Sequence, residues 1–179
     1  LSIAFADREF DVPISIATGI LVKDALTEVF NLDSIKLKWP NDLVFEKKKI
    51  GGILVEKEVF SNYTKAIVGI GINLELDKKE SWWGDFGDLN GKNLRDKIIN
   101  KILVKFEALF SDGLNDWKNL WNQSCIHNDA IISVARNDEI IKGKYLGIND
   151  SGELLLEKKI GEIISFSSGE VSIKGIYNK

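Results

Sequence analysis

Lys36–Glu56 reads K-L-K-W-P-N-D-L-V-F-E-K-K-K-I-G-G-I-L-V-E, and the interpretation of this stretch decides how the rest of the chain is arranged. Ile35 to Trp39 alternates apolar and polar side chains, the pattern of a half-buried strand. Pro40 has no backbone N–H and pushes Trp39 toward extended geometry, so the ladder stops there. Asn41 and Asp42 are turn residues whose side chains bond the nearby main chain. Leu43-Val44-Phe45 restarts a strand, and Glu46 to Lys49 reads as a hairpin tip. Ile50 to Val55 is a nearly continuous apolar strand opened by Gly51-Gly52. The arrangement projects Lys38, Asn41, Asp42 and Lys49 toward one place, beside main chain stripped of side chains. Two ammonium groups, one carboxylate and bare backbone suit an anionic substrate. A surface hairpin with a solvated lysine-rich tip would use the same residues.

Upstream, Leu1 to Phe5 alternates toward a strand, with polar Ala6 to Glu9 closing it. From Ile14 through Phe30 the positions Ile16, Ile20, Leu21, Ala25, Leu26 and Val29 recur at three- and four-residue spacing, which predicts a one-sided helix. Downstream, Lys65 to Leu74 predicts a buried strand carrying Gly69-x-Gly71-x-Asn73. It lacks the third glycine and the following helix of a dinucleotide fingerprint, so the glycines alone read as close strand packing. Asp77 to Gly91 is a polar loop holding Trp82-Trp83. Such large apolar area is either employed at a surface or plugged onto the core. Lys92 to Phe110 has helical periodicity and Ser111-Asp112-Gly113 stops it; Leu114 to Asn122 is a second, shorter helix. From about Asn128 the chain turns to short β runs, punctuated by Asn137-Asp138, Asn149 to Gly152 and Ser167 to Gly169. These predict a small barrel.

The 179 residues, 44% hydrophobic and 28% charged, describe a globular chain with a real core. At this length about 70% of the unfolded surface becomes buried. A net charge of −3 gives no electrostatic case for nucleic acid as the main partner. The single cysteine, Cys125, forbids an internal disulfide and fits a reducing cytoplasm. With His127 as the one histidine it cannot build a zinc site; the pair reads as a packed small residue and a surface imidazole. No run is apolar enough for a membrane span. The chain starts at Leu1 and has no methionine, so an upstream segment and methionine positions are expected beyond what is written.

K-W-P-N-D, with K-I-G-G-I-L-V-E starting seven residues after the aspartate, closely resembles the signature of biotin protein ligases. G-I-G-I-N at 69–73 and G-K-Y-L-G-I-N-D-S-G-E-L-L-L with G-E-V-S-I-K in the tail extend the likeness over essentially the whole chain. The resemblance implies an α+β fold: a mixed sheet with flanking helices of the class II aminoacyl-tRNA and biotin synthetase type, then a small SH3-like barrel. Residues 1–127 would form the catalytic domain and 128–179 the C-terminal one. It implies biotin and Mg²⁺-ATP forming biotinyl-AMP, then transfer to a lysine of a biotin carboxyl carrier protein, in the cytoplasm, by a monomer or a homodimer. Lys38, Asp42 and Lys49 take the catalytic roles, with Lys49 at the carboxylate–phosphate junction and Asp42 beside the incoming amine. Lys49, Gly51, Gly52, Gly69 and Gly71 would contact biotin. Lys38, Asn41, Asn73, a loop tryptophan (Trp83 or Trp82) and Lys174 would contact the nucleotide. Metal ligands are unassigned. Lys174 stands where many relatives carry arginine, so the bidentate fork is lost. The family's G-R-G-R-x-G biotin loop, and the helix-turn-helix of its operator-binding members, align upstream of Leu1. A lipoate-type ligase is disfavoured by the biotin-side wording of both motifs. A non-enzymatic SH3-like module is disfavoured because Tyr145, Phe166 and Tyr177 are too few and scattered for a proline-peptide groove.

Overall fold

The computed structural model describes residues 1–7, 11–77, 80–89, 93–136, 139–168 and 171–174. The expected Arg8 and Glu9, Gly91-Lys92, the turn at Asn137-Asp138, Gly169 and Tyr177 lie outside the described residues. Strand β1 (Ser2–Asp7) leads to helix α1 (Ile14–Phe30), which starts after Pro13 and ends at Asn31 in the left-handed region. Strands β2 (Lys36–Lys38), β3 (Asp42–Phe45), β4 (Lys48–Val59) and β5 (Thr64–Ile72) follow. They form a five-stranded sheet in the order β1-β5-β4-β3-β2. The mixed sheet expected from the sequence is antiparallel in every described strand pair. Among the described residues, parallel character is confined to two isolated bridges, Leu37 to Cys125 and Lys49 to Trp83.

Two local features of the organising stretch differ from expectation. Glu46 and Lys47 alone make the hairpin tip, both at positive φ (50° and 59°), as in two-residue hairpin turns of the primed type. Lys48 and Lys49 are therefore ladder residues, paired with Phe45 and Val44. Asp42 is likewise not a turn residue but the first of β3, paired with Lys38 on one side and Gly52 on the other. The register then shifts, so that Val44 faces Lys49 while Leu43 faces Gly51. Ile50 is the extra residue, a bulge that resets the alternation of faces along β4.

Helix α1 covers one face of this sheet, against β2, β3 and β4. It is less one-sided than its periodicity suggests: every residue from Ile16 to Val22 is buried. The cause is company on several sides, since α2 (Leu94–Asp112) and α3 (Trp117–Ser124) pack on it as well. Each buried Ile, Leu or Val contributes about 1.5–3 kcal/mol. Among the described residues no helix is long and apolar enough to cross a membrane.

Beyond α3 the chain forms β6 (Ile131–Arg136), β7 (Glu139–Ile148), β8 (Leu154–Lys159), β9 (Glu162–Phe166) and β10 (Val171–Lys174). They make a second antiparallel sheet, ordered β10-β6-β7-β8-β9, the small SH3-like β unit. Its inner residues Val134, Tyr145, Leu154 and Phe166 join one continuous core with the first unit. Two tryptophans hydrogen-bond across the junction: Trp39 Nε1 to the Gly152 carbonyl at 3.0 Å, and Trp121 Nε1 to the Tyr145 hydroxyl at 2.9 Å. Cys125 is the packed small residue expected, but His127 is not a surface imidazole: it is 1% exposed. Ile126 N–H bonds the Leu37 carbonyl at 2.8 Å, which threads residues 125–127 between β2 and Tyr145.

Candidate active site

The register places four of the expected residues in one row across the sheet. Lys38 pairs with Asp42, Asp42 with Gly52, and Gly52 with Gly71. Gly69 lies two residues along β5, on the same face and opposite Leu54. Residues on the other face, Leu43, Ile53, Val68 and Ile70, belong to the core beneath α1. The glycine-bearing face is open: Leu54 is 63% and Ile67 51% exposed.

On that row sits a three-membered charge cluster. Lys38 Nζ is 3.4 Å from Asp42 Oδ2, and Lys49 Nζ is 2.5 Å from Asp42 Oδ1. Lys38 and Asp42 are buried, and Lys49 reaches them because the Ile50 bulge puts it on their face. Gly52 faces the same cluster, for a β-carbon built on it would lie 3.6 Å from Lys49 Nζ. Gly51 does not: its β-carbon would strike the Gly71 carbonyl at 2.4 Å and Leu43 Cδ1 at 3.1 Å. That glycine answers to interior packing rather than to the open face. Asn41 acts as a strut, with Nδ2 donating to the Ile53 carbonyl at 2.8 Å while Ile53 N–H donates to the Asn41 carbonyl at 2.9 Å.

Asn73, just past β5, directs its amide at main chain: Nδ2 donates to Gly84 O at 3.0 Å and to Lys49 O at 3.4 Å. The Trp82 and Trp83 rings stand edge to face, 5.4 Å apart and half-buried. Trp83 lines a cavity of about 320 Å³ with Phe45, Lys48 and Phe86, at the hairpin-tip end of the sheet. Lys174 is the last residue of β10; its side chain lies outside the described residues.

Sequence reading missed His127 as a neighbour of the cluster. Burial, and then the Lys38 charge, lower its pKa to about 4, so the imidazole is neutral near pH 7. Neither ring nitrogen has a hydrogen-bond partner among the described residues. The only signal for its burial was the apolar company of the C-I-H segment.

A family model, the biotin/lipoate A/B protein ligase family, matches residues 12–73, from just before α1 to Asn73. A second, the biotin protein ligase C terminal domain, matches residues 131–174, the whole β6–β10 unit. The first stretch is thus similar to biotin and lipoate protein ligases, and the second to the C-terminal domain of biotin protein ligases. The chain is similar to the bifunctional ligase/repressor BirA of Salmonella typhimurium, 28% identical over 173 residues, covering 91% of this chain and 53% of that protein. Biotin–protein ligase 2 of Arabidopsis thaliana is 26% identical, covering 79% of this chain and 47% of its own length. The chain thus spans about half the length of the curated relatives it matches. The fold agrees with that of the biotin protein ligase from Aquifex aeolicus, with TM-score 0.73, 23% identity and coverage of 97% of this chain and 81% of that one. The same ligase in complex with biotin and ATP gives TM-score 0.70, 24% identity and coverage of 97% and 78%.

The cluster carries one more positive charge than negative. An ammonium has three donors, and Lys49 aims one at Asp42, so an anion arriving on the open face meets a cation already oriented. The bare edges of Gly52, Gly69 and Gly71 let a ligand lie against main chain, where any Cβ would stand in the way. Among the described residues no group of three or more His, Cys, Asp or Glu could hold a metal, and lysines engage both oxygens of Asp42. These side chains do not form a protein cage for Mg²⁺.

Proposed function

We propose that the protein activates biotin with ATP and passes it to a lysine of a biotin carboxyl carrier domain. The observation that carries this reading is the Lys38–Asp42–Lys49 cluster seated on a glycine-edged, open sheet face. In the first step a biotin carboxylate oxygen attacks the α-phosphorus of ATP. A P–O bond forms to give biotinyl-AMP, and the bond to pyrophosphate breaks. Two anions meet, so cations must offset their repulsion. Lys49 serves at that junction and Lys38 steadies the phosphate side. Gly52, Gly69 and Gly71 line the biotin seat, while Gly51 serves the interior. Mg²⁺ brought in on the ATP phosphates would offset charge there, as it commonly does.

In the second step the carrier amine attacks the acyl carbon, the C–O bond to AMP breaks, and the amine loses its proton. Aspartate is a weak base toward a lysine amine. Asp42 therefore orients the incoming ammonium and eases its deprotonation rather than removing the proton outright. Asn41 holds the turn beside it, and Asn73 with the Trp82-Trp83 loop supplies the adenine side. Lys174 belongs to the nucleotide side through the C-terminal unit. We take 1–127 as the catalytic domain and 128–179 as the C-terminal one. The single unpaired and buried cysteine fits a reducing cytoplasm.

Relatives of the same fold support biotin over lipoate: one is an Aquifex aeolicus ligase with biotin and ATP, another a Leishmania major ligase with biotinyl-5-AMP. Pyrophosphate release by the intact protein, supplied with Mg-ATP and either biotin or lipoate, tests the reading. Release with biotin and not lipoate is expected. Equal release with both sinks the biotin assignment, and none with either sinks the ligase.

A further inference from the structure

Lys49 is a ladder residue whose main chain is held from outside the sheet. Its N–H donates to the Trp82 carbonyl at 2.9 Å, and its carbonyl accepts from Gly84 N–H at 2.9 Å. Between them runs the isolated parallel bridge to Trp83. The loop after β5 therefore lies against β4 as a short extra strand, at the residue that presents the more exposed cation of the cluster.

One side chain closes this seam. Asn73 Nδ2 donates to Gly84 O at 3.0 Å and Lys49 O at 3.4 Å, touching both partners. Its main chain bonds both sides too: N–H to Ile50 O at 2.8 Å, and carbonyl from Phe86 N–H at 3.3 Å. A carboxamide has two N–H donors, and here both are spent on main-chain carbonyls. Gly84 is the other requirement. A β-carbon there would stand 2.9 Å from Lys48 Cβ and 3.2 Å from Ile50 Cγ2, so a larger residue lifts the loop off the strand.

We propose that Asn73 is a positioning residue for Lys49, acting with Gly84 to lock the tryptophan loop and the cation into one unit. The proposal deepens the ligase reading, in which Lys49 meets carboxylate and phosphate. A lysine has four flexible side-chain bonds, so its ammonium can be placed only as well as its backbone is. A misplacement of about 1 Å costs about 100-fold in rate.

The decisive variant is Asn73→Asp, which keeps size and acceptor oxygens and removes both donors. If Asn73 served only to accept a hydrogen bond from a base, Asn73→Asp would retain activity. As a positioning residue it slows biotin-dependent pyrophosphate release by the intact protein at least about 10-fold. Gly84→Ala, which leaves Asn73 in place, does the same. In a Lys49→Ala background Asn73→Asp adds less than about twofold, because residues acting through one group are not additive. Amide exchange without any ligand reads the seam directly: the Lys49 and Gly84 amides exchange faster in both single variants, while β7 and β8 amides stay protected. A wild-type rate in Asn73→Asp, a loss that multiplies with that of Lys49→Ala, or unchanged exchange overturns the proposal. Absence of biotin-dependent release from the unmutated protein fails the ligase reading instead, and the exchange arm still decides the seam.

Discussion

Two carboxylates in this molecule are each held between two lysines, and they have little else in common. Glu28 on α1 reaches Lys101 at 2.8 Å and Lys105 at 2.6 Å on α2, with side-chain exposures of 47%, 42% and 20%. Asp42 lies between Lys38 and Lys49 at 3.4 and 2.5 Å, with exposures of 12%, 10% and 32%. The Glu28 clasp bridges two helices in solvent, where screening makes such pairs weak. The Asp42 cluster is sunk into a sheet, flanked by glycines, beside a neutral imidazole and under a face left open. Charge composition is the same; setting separates a brace from a site.

The widest separation comes from removing one lysine from each cluster. Lys49→Ala should slow adenylate formation by about 10²–10³, the usual cost of losing one preorganised electrostatic partner, whereas Lys101→Ala should leave the rate unchanged. Pyrophosphate release measures both. Next is Asp42→Asn, which keeps shape but removes the charge facing the acceptor amine. Single-turnover transfer from preformed biotinyl-AMP should fall by about 10²-fold, with adenylate formation largely intact. If the first step suffers as badly as the second, Asp42 is structural and its assignment to the acceptor is wrong.

A smaller effect separates the clusters by pH. His127 belongs to the buried cluster alone, with a folded-state pKa lowered from 6.5 to about 4 by burial and Lys38. Below pH 6.5 the unfolded chain binds a proton that the folded one refuses, so stability falls as pH drops toward 4. At pH 5 the loss is about 2 kcal/mol. His127→Phe should flatten that slope in urea melts compared at pH 5 and 7.5; a slope left intact places the sensitivity elsewhere. The smallest effect is at Glu28, whose pKa hydrogen bonds from Lys101 and Lys105 hold down at about 2. Its contribution is present above about pH 4.5 and fades as pH falls toward 2. Because the pair is solvent-screened, Glu28→Gln should cost under about 1 kcal/mol at pH 7 by the same melts.

What could be read from the chain beforehand was what local pattern specifies. The three- and four-residue spacing from Ile14 to Phe30 gave α1 its bounds, and alternation with Pro40 gave β2 and its end. The convergence of Lys38, Asp42 and Lys49 followed from that hairpin. What escaped depended on contacts between distant segments. Gly51 and Gly52 read alike, yet the Ile50 bulge sends one inward and the other outward. The tip shrank to Glu46-Lys47 because both residues take positive φ, which no periodicity encodes. His127 looked polar enough for the surface, yet it is buried where the chain passes between β2 and Tyr145 of the C-terminal sheet. Asn73 read as a ligand contact, while its amide hydrogens also bond main chain 11 and 24 residues away.

The most direct measurement is exchange of labelled pyrophosphate into ATP, which reports the reversible first step alone. With the intact protein, exchange should require biotin, fall about 10²–10³-fold in Lys49→Ala and persist in Lys101→Ala. Exchange that runs without biotin, or continues at the unmutated rate in Lys49→Ala, would contradict the assignment of this cluster to adenylate formation.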